Sequence, residues 1–255
     1  MSKRNCGFIT VLLLATLLLT ASLSAAKDKG HPAQDLLYEG ANLLGHGKPE
    51  AAIEKFNAAL KLDPGLPEAY INRGIAYLRL EQYVEAAADF DKALEIVPEA
   101  TEAYYNRAVA YSRSGLYDKA VEDYTRALKY APKDWQIFYN RGNAYLDLGK
   151  SALALKDYDQ ALKLNPQAAE VYHNRGLAYL DQKKPDKALA DSEKALEINP
   201  NFARANFSKA KALDQLGQKP EAVAAYRRFL QTGDPAADAV YIQQALERLK
   251  VLEGK

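Results

Sequence analysis

Residues 67–100 read PEAYINRGIAYLRLEQYVEAAADFDKALEIVPEA, and residues 101–134 read TEAYYNRAVAYSRSGLYDKAVEDYTRALKYAPKD. The two segments align without a gap. The same spacing of 34 residues continues on both sides, because prolines stand at positions 64, 98, 132, 166 and 200. It divides the chain into six copies of one unit, namely 33–66, 67–100, 101–134, 135–168, 169–202 and 203–236. Such a series predicts a repeated structural unit over most of the chain.

Most copies carry large and small side chains at fixed places, counted here from the first residue of each copy, and the sixth departs with Asn206, Leu213 and Phe229. Large residues at places 4 and 11 lie seven residues apart, on one face of a first helix, and a third follows at place 24 of a second helix. Small residues at places 8, 20 and 27 let the two helices approach closely, and the closing proline ends the second helix. In the second copy these residues are Tyr70, Tyr77, Phe90, Gly74, Ala86 and Ala93. One such pair cannot bury its own apolar face, so the copies must stack.

This pattern resembles the tetratricopeptide repeat (TPR), a 34-residue helix–turn–helix unit. The resemblance covers residues 33–236 and implies an all-α fold, a right-handed TPR solenoid of six repeats. After the sixth copy, Asp234 and Pro235 predict the N-cap and first residue of one more helix. Residues 237–255 are therefore interpreted as a capping helix and tail that cover the last repeat.

The N-terminus has the three-part pattern of a secretory signal peptide. Lys3 and Arg4 precede an aliphatic run at residues 8–19, and small residues follow up to Ala26. Residues 1–26 are predicted to be this signal peptide, and 27–32 a polar leader. An uncleaved membrane anchor is the alternative, because residues 7–26 are uncharged and could span a bilayer. Both interpretations predict export, either to a periplasmic or secreted location or to an outward-facing membrane anchor.

Composition excludes several classes of function. The 255 residues contain 34 basic and 33 acidic side chains, so no basic excess indicates nucleic acid as a partner. One cysteine and three scattered histidines do not favour a metal site. No phosphate-binding glycine loop, serine nucleophile motif or zinc-binding histidine motif occurs. We expect no catalytic residue, no metal and no cofactor.

Opposite charges recur at places 7 and 23, where the first and second helices of a repeat could face each other. The predicted structural ion pairs are Arg73 with Asp89, Arg107 with Asp123, Arg141 with Asp157, and Arg175 with Asp191. In the first copy both signs are exchanged, as Glu39 and Lys55, which favours structural pairing. The pairs could form within a repeat or between neighbours, and an arginine row that binds a ligand is the alternative.

The resemblance also implies that the first helices line a concave groove, with places 5 and 6 among those that face a ligand. An asparagine row at place 6 could bind an extended peptide, because an amide both donates and accepts hydrogen bonds. The candidate peptide-binding residues are Asn72, Asn106, Asn140 and Asn174 at place 6, and Tyr105, Tyr139, His173 and Phe207 at place 5. We expect the asparagines to face solvent in the free protein. Alternatively, the asparagines bridge neighbouring helices and the aromatic rings pack between repeats.

The sequence predicts a non-enzymatic protein-binding module or assembly scaffold in an exported compartment. It would capture an extended peptide or a partner helix in the groove, so one or more proteins or peptides are the expected partners. A membrane-tethered TPR scaffold with an uncleaved anchor is the alternative. An RNA-binding helical repeat is disfavoured by the near-neutral charge.

Overall fold

The structure, a computed structural model, describes residues 31–254. These residues form thirteen α-helices and contain no strand, so the described part of the chain is all-α, as predicted. The predicted signal segment and most of the leader lie outside the described residues. The helices are α1 (Pro32–Gly45), α2 (Pro49–Leu62), α3 (Pro67–Arg79), α4 (Tyr83–Ile96), α5 (Thr101–Arg113), α6 (Tyr117–Tyr130), α7 (Trp135–Asp147), α8 (Ser151–Leu164), α9 (Ala169–Asp181), α10 (Pro185–Ile198), α11 (Ala203–Gln215), α12 (Lys219–Thr232) and α13 (Ala239–Leu252).

The described residues divide into two compact units at Pro132 and Lys133. The N-terminal unit contains α1–α6, which are the helix pairs of three repeats. The C-terminal unit contains α7–α12, three further pairs, and α13. Within each unit, every first helix packs against its own second helix, which packs in turn against the next first helix.

Successive first helices also contact each other within each unit. In the N-terminal unit α1 contacts α3 and α3 contacts α5, and in the C-terminal unit α7 contacts α9 and α9 contacts α11. Among the described residues, successive second helices make no contact of comparable extent. The first helices therefore form the inner layer of each unit, and the second helices form the outer layer.

Glycine at place 8 makes room for the aromatic ring at place 24. A Cβ atom on Gly74 would lie 2.7 Å from the ring of Phe90, and one on Gly40 would lie 2.5 Å from Phe56. Both rings are fully buried between the helices of their repeats. Gly176 differs, because Ser192 occupies place 24 and the nearest atom to an added Cβ would be 3.4 Å away. An added Cβ would therefore meet a ring in the first, second and fourth repeats, whereas the third and sixth repeats hold alanine at place 8 beside the buried rings of Tyr124 and Tyr226.

The turn between the two helices of a repeat has a left-handed residue at place 15. Four repeats have glycine there, Gly47, Gly115, Gly149 and Gly217, with φ between 72° and 79°. Glu81 and Lys183 adopt the same conformation with φ of 58° and 55°. A side chain in this region is strained by contact between Cβ and the following carbonyl, so these two turns are less favourable than the glycine turns.

The C-terminal helix starts later than the sequence indicates. Asp234 makes the predicted capping bonds, since its Oδ1 accepts from the backbone N–H groups of Ala236 and Ala237, each at 2.8 Å, but it caps a single turn before the helix. Helix α13 begins at Ala239. Its Tyr241 ring lies 5.1 Å from the ring of Phe207, so α13 covers the apolar side of the last helix pair.

None of the helices in the described range is both long enough and apolar enough to cross a bilayer.

Candidate binding surface on the first helices

The structure pairs each place-7 arginine with the place-23 aspartate of its own repeat. Arg107 donates from Nε and Nη2 to Oδ2 and Oδ1 of Asp123, at 2.6 and 2.8 Å. The other three predicted pairs have the same bidentate geometry, with distances of 2.6 to 2.8 Å, and all four aspartates are buried. In the first repeat, Lys55 and Glu39 form a 2.6 Å salt bridge that is more exposed to solvent.

The remaining guanidinium nitrogen links neighbouring repeats. Nη1 of Arg175 donates to Asp159 of the preceding repeat at 2.7 Å, and Arg107 contacts Asp91 in the same way. In the second repeat the acceptor is the amide oxygen of Asn57, at 2.6 Å from Arg73 Nη1. The charged groups of these arginines are therefore satisfied within the protein. This arrangement favours the structural interpretation of the arginine row over a ligand-binding one.

The environment of the Arg73–Asp89 pair shifts the pKa values of both partners. The hydrogen bond from Arg73 to Asp89 raises the pKa of Arg73, against the opposing effect of burial. Burial raises the pKa of Asp89, and the bond to Arg73 only partly offsets this. Since an unpaired charge at this depth would be costly, each partner depends on the other.

At place 6, Asn174 bridges two repeats. Its Nδ2 donates to the hydroxyl of Tyr139 at 3.0 Å and to Oδ1 of Asn143 at 2.8 Å, and both acceptors lie on the first helix of the preceding repeat. Asn143 Oδ1 also accepts from the Tyr158 hydroxyl at 2.8 Å. The carbonyl oxygen of Asn174 has no hydrogen-bond partner among the described residues, and the side chain is half-buried. The amide is thus held in one orientation with its acceptor available.

The other place-6 asparagines differ in exposure. Asn72 is half-buried, and neither it nor Asn106 makes a side-chain hydrogen bond to any residue of the range 31–254. Asn106 and Asn140 are only 6% and 3% exposed. The expectation that they face solvent is wrong for these two, because place 6 lies beside the contact between successive first helices, as Asn174 shows.

Two of the place-5 candidates lie in the core. His173 is 4% exposed, with Nδ1 at 3.1 Å from Ser208 Oγ, and its ring packs edge-on against Phe202. Burial, together with the charges of Arg204 and Lys211, lowers the pKa of His173 to about 3, so the imidazole is neutral. Phe207 is 2% exposed between α12 and α13. Their expected place in a binding surface is a misreading, because the following helices cover both rings.

Five of the predicted residues, together with Tyr38, define two candidate surfaces, one in each unit, and Asn106 is their one buried member. The N-terminal first-helix surface consists of Tyr38, Asn72, Tyr105 and Asn106. Tyr38 is 54% exposed and was not among the predicted residues, although it occupies place 6 of the first repeat. The C-terminal first-helix surface consists of Tyr139 and Asn174, with Asn143 as the residue that orients the amide. Each surface combines an aromatic ring with an amide that can bond to a peptide group.

Metal chemistry has no candidate in the described part of the chain. There, no three His, Cys, Asp or Glu side chains come together in a way that could hold an ion.

Solved structures similar to this one are TPR proteins. MamA (residues 41 to the end) from Desulfovibrio magneticus RS-1 is 22% identical, with a TM-score of 0.64 over 68% of this chain and 98% of that chain. YrrB, described as a TPR protein with an unusual peptide-binding site, is 22% identical, with a TM-score of 0.60 over 75% and 97%. The Cut9–Hcn1 hetero-tetramer of the APC/C is 18% identical, with a TM-score of 0.68 over 85% of this chain and 43% of that chain. At these identities the likeness shows the fold, and it confirms the predicted TPR architecture. No curated protein sequence matches.

Family models give the same result from sequence. A model described as "TPR repeat" matches residues 142–183, and models described as "Tetratricopeptide repeat" match 39–101, 101–134, 123–156, 169–202 and 192–224. Two of these ranges, 101–134 and 169–202, have the bounds of the third and fifth copies read from the sequence. Because the matched ranges overlap from residue 39 to residue 224, well over half of the chain, the protein belongs to the tetratricopeptide-repeat family.

Proposed function

We propose that the protein is a non-enzymatic binding module or assembly scaffold that captures an extended peptide segment on its first-helix surfaces. The observation that carries this proposal is the geometry of Asn174. Both amide N–H groups bond within the protein, while the carbonyl oxygen is left to accept from a ligand. YrrB, a TPR protein of similar fold, is described as having a peptide-binding site, which supports the same class of ligand.

An extended segment suits these amides better than a helix does. In a helical partner the backbone N–H groups bond to the helix's own carbonyls, whereas an extended segment has unpaired N–H groups. The Asn174 oxygen can accept one of these groups without a change of rotamer, since Tyr139 and Asn143 already hold the amide. Preorganisation of this kind lowers the entropic cost of binding.

The N-terminal first-helix surface supports the same ligand class by different means. The amides of Asn72 and Asn106 have no hydrogen-bond partner among residues 31–254, so both can donate to and accept from the backbone of a bound peptide. The exposed ring of Tyr38 and the half-buried ring of Tyr105 offer apolar contact to alternate side chains of the peptide. This surface needs no charged anchor on the ligand.

We place this activity in an exported compartment on the evidence of residues 1–26. Their charged start, aliphatic centre and small-residue end are typical of a cleaved signal peptide. N-terminal sequencing of the exported protein should then begin at or near Lys27. Recovery of Met1 or Ser2 from a membrane fraction would instead establish the membrane-tethered alternative.

Two variants of the C-terminal first-helix surface distinguish a role of Asn174 in ligand binding from a role in holding the repeats together. The mature chain is used as bait in a pull-down from the exported compartment, and a peptide from the captured partner is then titrated. Asn174→Ala should weaken binding about 3- to 10-fold, as expected for the loss of one hydrogen bond. Tyr139→Phe removes one of the two anchors of the amide but leaves the acceptor in place, so it should weaken binding less. Asn201→Ala, in the exposed turn before α11, is the control.

Equal losses for Asn174→Ala and Tyr139→Phe, each accompanied by the same fall in melting temperature, would show that Asn174 serves the scaffold. Binding that both variants leave unchanged would contradict the proposal.

A further inference from the structure

The sixth repeat lacks a group of four side chains that pack together in the repeat before it. In the fifth repeat, Arg175 pairs with Asp191 and lies 5.4 and 5.9 Å from the ring centroids of Tyr172 and Tyr179. The same four places in the sixth repeat hold smaller or shorter residues: Asn206, Lys209, Leu213 and Ala225. Two aromatic rings, a guanidinium and a carboxylate are therefore missing at one position of the fold.

A crevice of about 450 Å³ occupies that position, between α10 and α12 and over α11. All four of the substituted residues line it. Because α10 and α12 are second helices, this outer crevice opens on the other layer of the C-terminal unit from Tyr139 and Asn174. It is a separate feature from the proposed peptide-binding surface.

The chemistry of the outer crevice is apolar at the floor and acidic at the rim. Leu213 and Ala225 are buried at its floor, and Leu189 lies beside them. At the rim, Glu193 forms a 3.0 Å salt bridge with Lys209. Glu221 is exposed and makes no ion pair with any residue that the structure describes.

One polar side chain at the floor has no partner among the described residues. Asn206 is 8% exposed, and its side chain makes no hydrogen bond within the described part of the chain. A ligand that offers a backbone or hydroxyl group there can form a hydrogen bond with this amide.

We propose that the outer crevice binds a partner segment in which an aromatic residue is followed by arginine or lysine. The aromatic ring occupies the space that Tyr179 and its counterparts fill in other repeats, against Leu213 and Leu189. The basic side chain reaches Glu221, whose charge has no counterpart of its own. The partner thus supplies the aromatic and cationic groups that the second to fifth repeats have in their own sequence.

The test is a peptide titration on the full chain, followed by NMR of labelled leucine methyl groups. The probe is an acetylated, amidated hexapeptide with Tyr-Arg at its centre, and the matched peptides carry Tyr-Glu or Ala-Arg there. The Tyr-Arg peptide should shift the methyl signals of Leu189 and Leu213 saturably at millimolar concentration. The two matched peptides should bind about tenfold more weakly.

Matched variants test whether the methyl shifts come from binding in the outer crevice. Ala224→Arg, which places a cation in the crevice, should abolish it, whereas Ala190→Arg, at the same place of the fifth repeat and equally exposed, should not. Glu221→Lys should weaken Tyr-Arg binding and strengthen Tyr-Glu binding. Neither result depends on the first-helix surfaces, so Asn174→Ala should leave this response unchanged.

Three outcomes would overturn the proposal. The first is an absence of shifts at Leu189 and Leu213 with millimolar Tyr-Arg peptide. The second is an equal response to the Tyr-Glu peptide. The third is self-association in sedimentation that Ala224→Arg abolishes and Ala190→Arg does not, since the occupant would then be a second copy of this chain.

Discussion

Arg107 and Asp123 form a bidentate pair across the two helices of the third repeat, and little of either side chain reaches solvent. The two hydrogen bonds measure 2.6 and 2.8 Å, and the side chains are 12% and 4% exposed. Buried pairs of this kind are weak evidence for net stabilisation, but the loss of one partner leaves the other charge uncompensated.

Removal of one partner should therefore be costly, and a double-mutant cycle should show strong coupling. Asp123→Ala should lower the free energy of unfolding by about 3 kcal/mol. In the cycle with Arg107→Ala, urea unfolding should give a coupling energy of about 1–3 kcal/mol. Asp89 belongs to the neighbouring pair and serves as the control, with coupling to Arg107 near zero. A coupling below about 0.5 kcal/mol for Arg107 with Asp123 would contradict this account.

The same substitution should have opposite effects at two glycines of place 8. Gly74→Ala drives a Cβ to 2.7 Å from the Phe90 ring, so it should destabilise the protein by about 1–3 kcal/mol. Gly176→Ala meets nothing closer than 3.4 Å and should stabilise by about 0.5–1 kcal/mol, because alanine loses less backbone entropy in a helix. Urea unfolding of both variants checks the signs. Equal effects of the two substitutions on the free energy of unfolding would show that the Phe90 ring does not set the cost of a Cβ atom at Gly74.

Two turns can be improved by introducing glycine. Glu81 and Lys183 have φ of 58° and 55°, which glycine adopts without strain. Glu81→Gly and Lys183→Gly should each raise stability by up to about 1 kcal/mol, and thermal unfolding measures the change. Gln82→Gly, one residue later and at ordinary φ, is the control and should stabilise nothing. A lower melting temperature for both variants would contradict the strain argument.

His173 should make stability depend on pH below about 6.5. Burial lowers its folded-state pKa to about 3, whereas its ordinary value is 6.5. The unfolded chain takes up a proton as the pH falls through 6.5 and the folded chain does not. The stability present above pH 6.5 is therefore lost on acidification toward pH 3, by up to about 1.4 kcal/mol per pH unit.

His173→Gln keeps a polar side chain near Ser208 but does not titrate. Urea unfolding between pH 4 and pH 7 should therefore show a stability difference, wild type minus variant, that falls as the pH falls. Raised pKa values at Asp89 and Asp191 act in the opposite sense, but both proteins share them. A difference that stays constant with pH would mean that His173 is protonated in the folded state.

The 34-residue period predicts the all-α architecture because the residue types at fixed places of the repeat determine how its two helices pack. Glycine at place 8 together with an aromatic residue at place 24, as in Gly74 and Phe90, already implies a closely packed pair of helices. The spacing of 16 residues between Arg107 and Asp123 is likewise a property of the repeat. The exposure of a side chain is not a property of the repeat, since it depends on which other element packs over that side chain. Phe207 and Tyr105 share place 5, yet α13 covers only Phe207.

The start of α13 could not be predicted for a similar reason. An aspartate followed by proline is typical both of a helix N-terminus and of an isolated turn. Tertiary contact decides between them, because Arg204 holds Asp238 beside the last repeat and the helix starts after that residue. The outer crevice was missed because it follows from four substitutions together, and none of the four is unusual alone.

The exchanged charges of the first repeat also bear on how the chain avoids misassembly. Repeats of one sequence pattern can mispair during folding, when the first helix of one copy packs on the second helix of another. If α1 packed in the place of α3 on α4, Glu39 would face Asp89, and two carboxylates would meet in a buried position. The reverse error would bring Lys55 against Arg73. The exchanged charges at places 7 and 23 thus favour the pairing of α1 with α2. They make the pairing of either helix with a helix of a later repeat unfavourable.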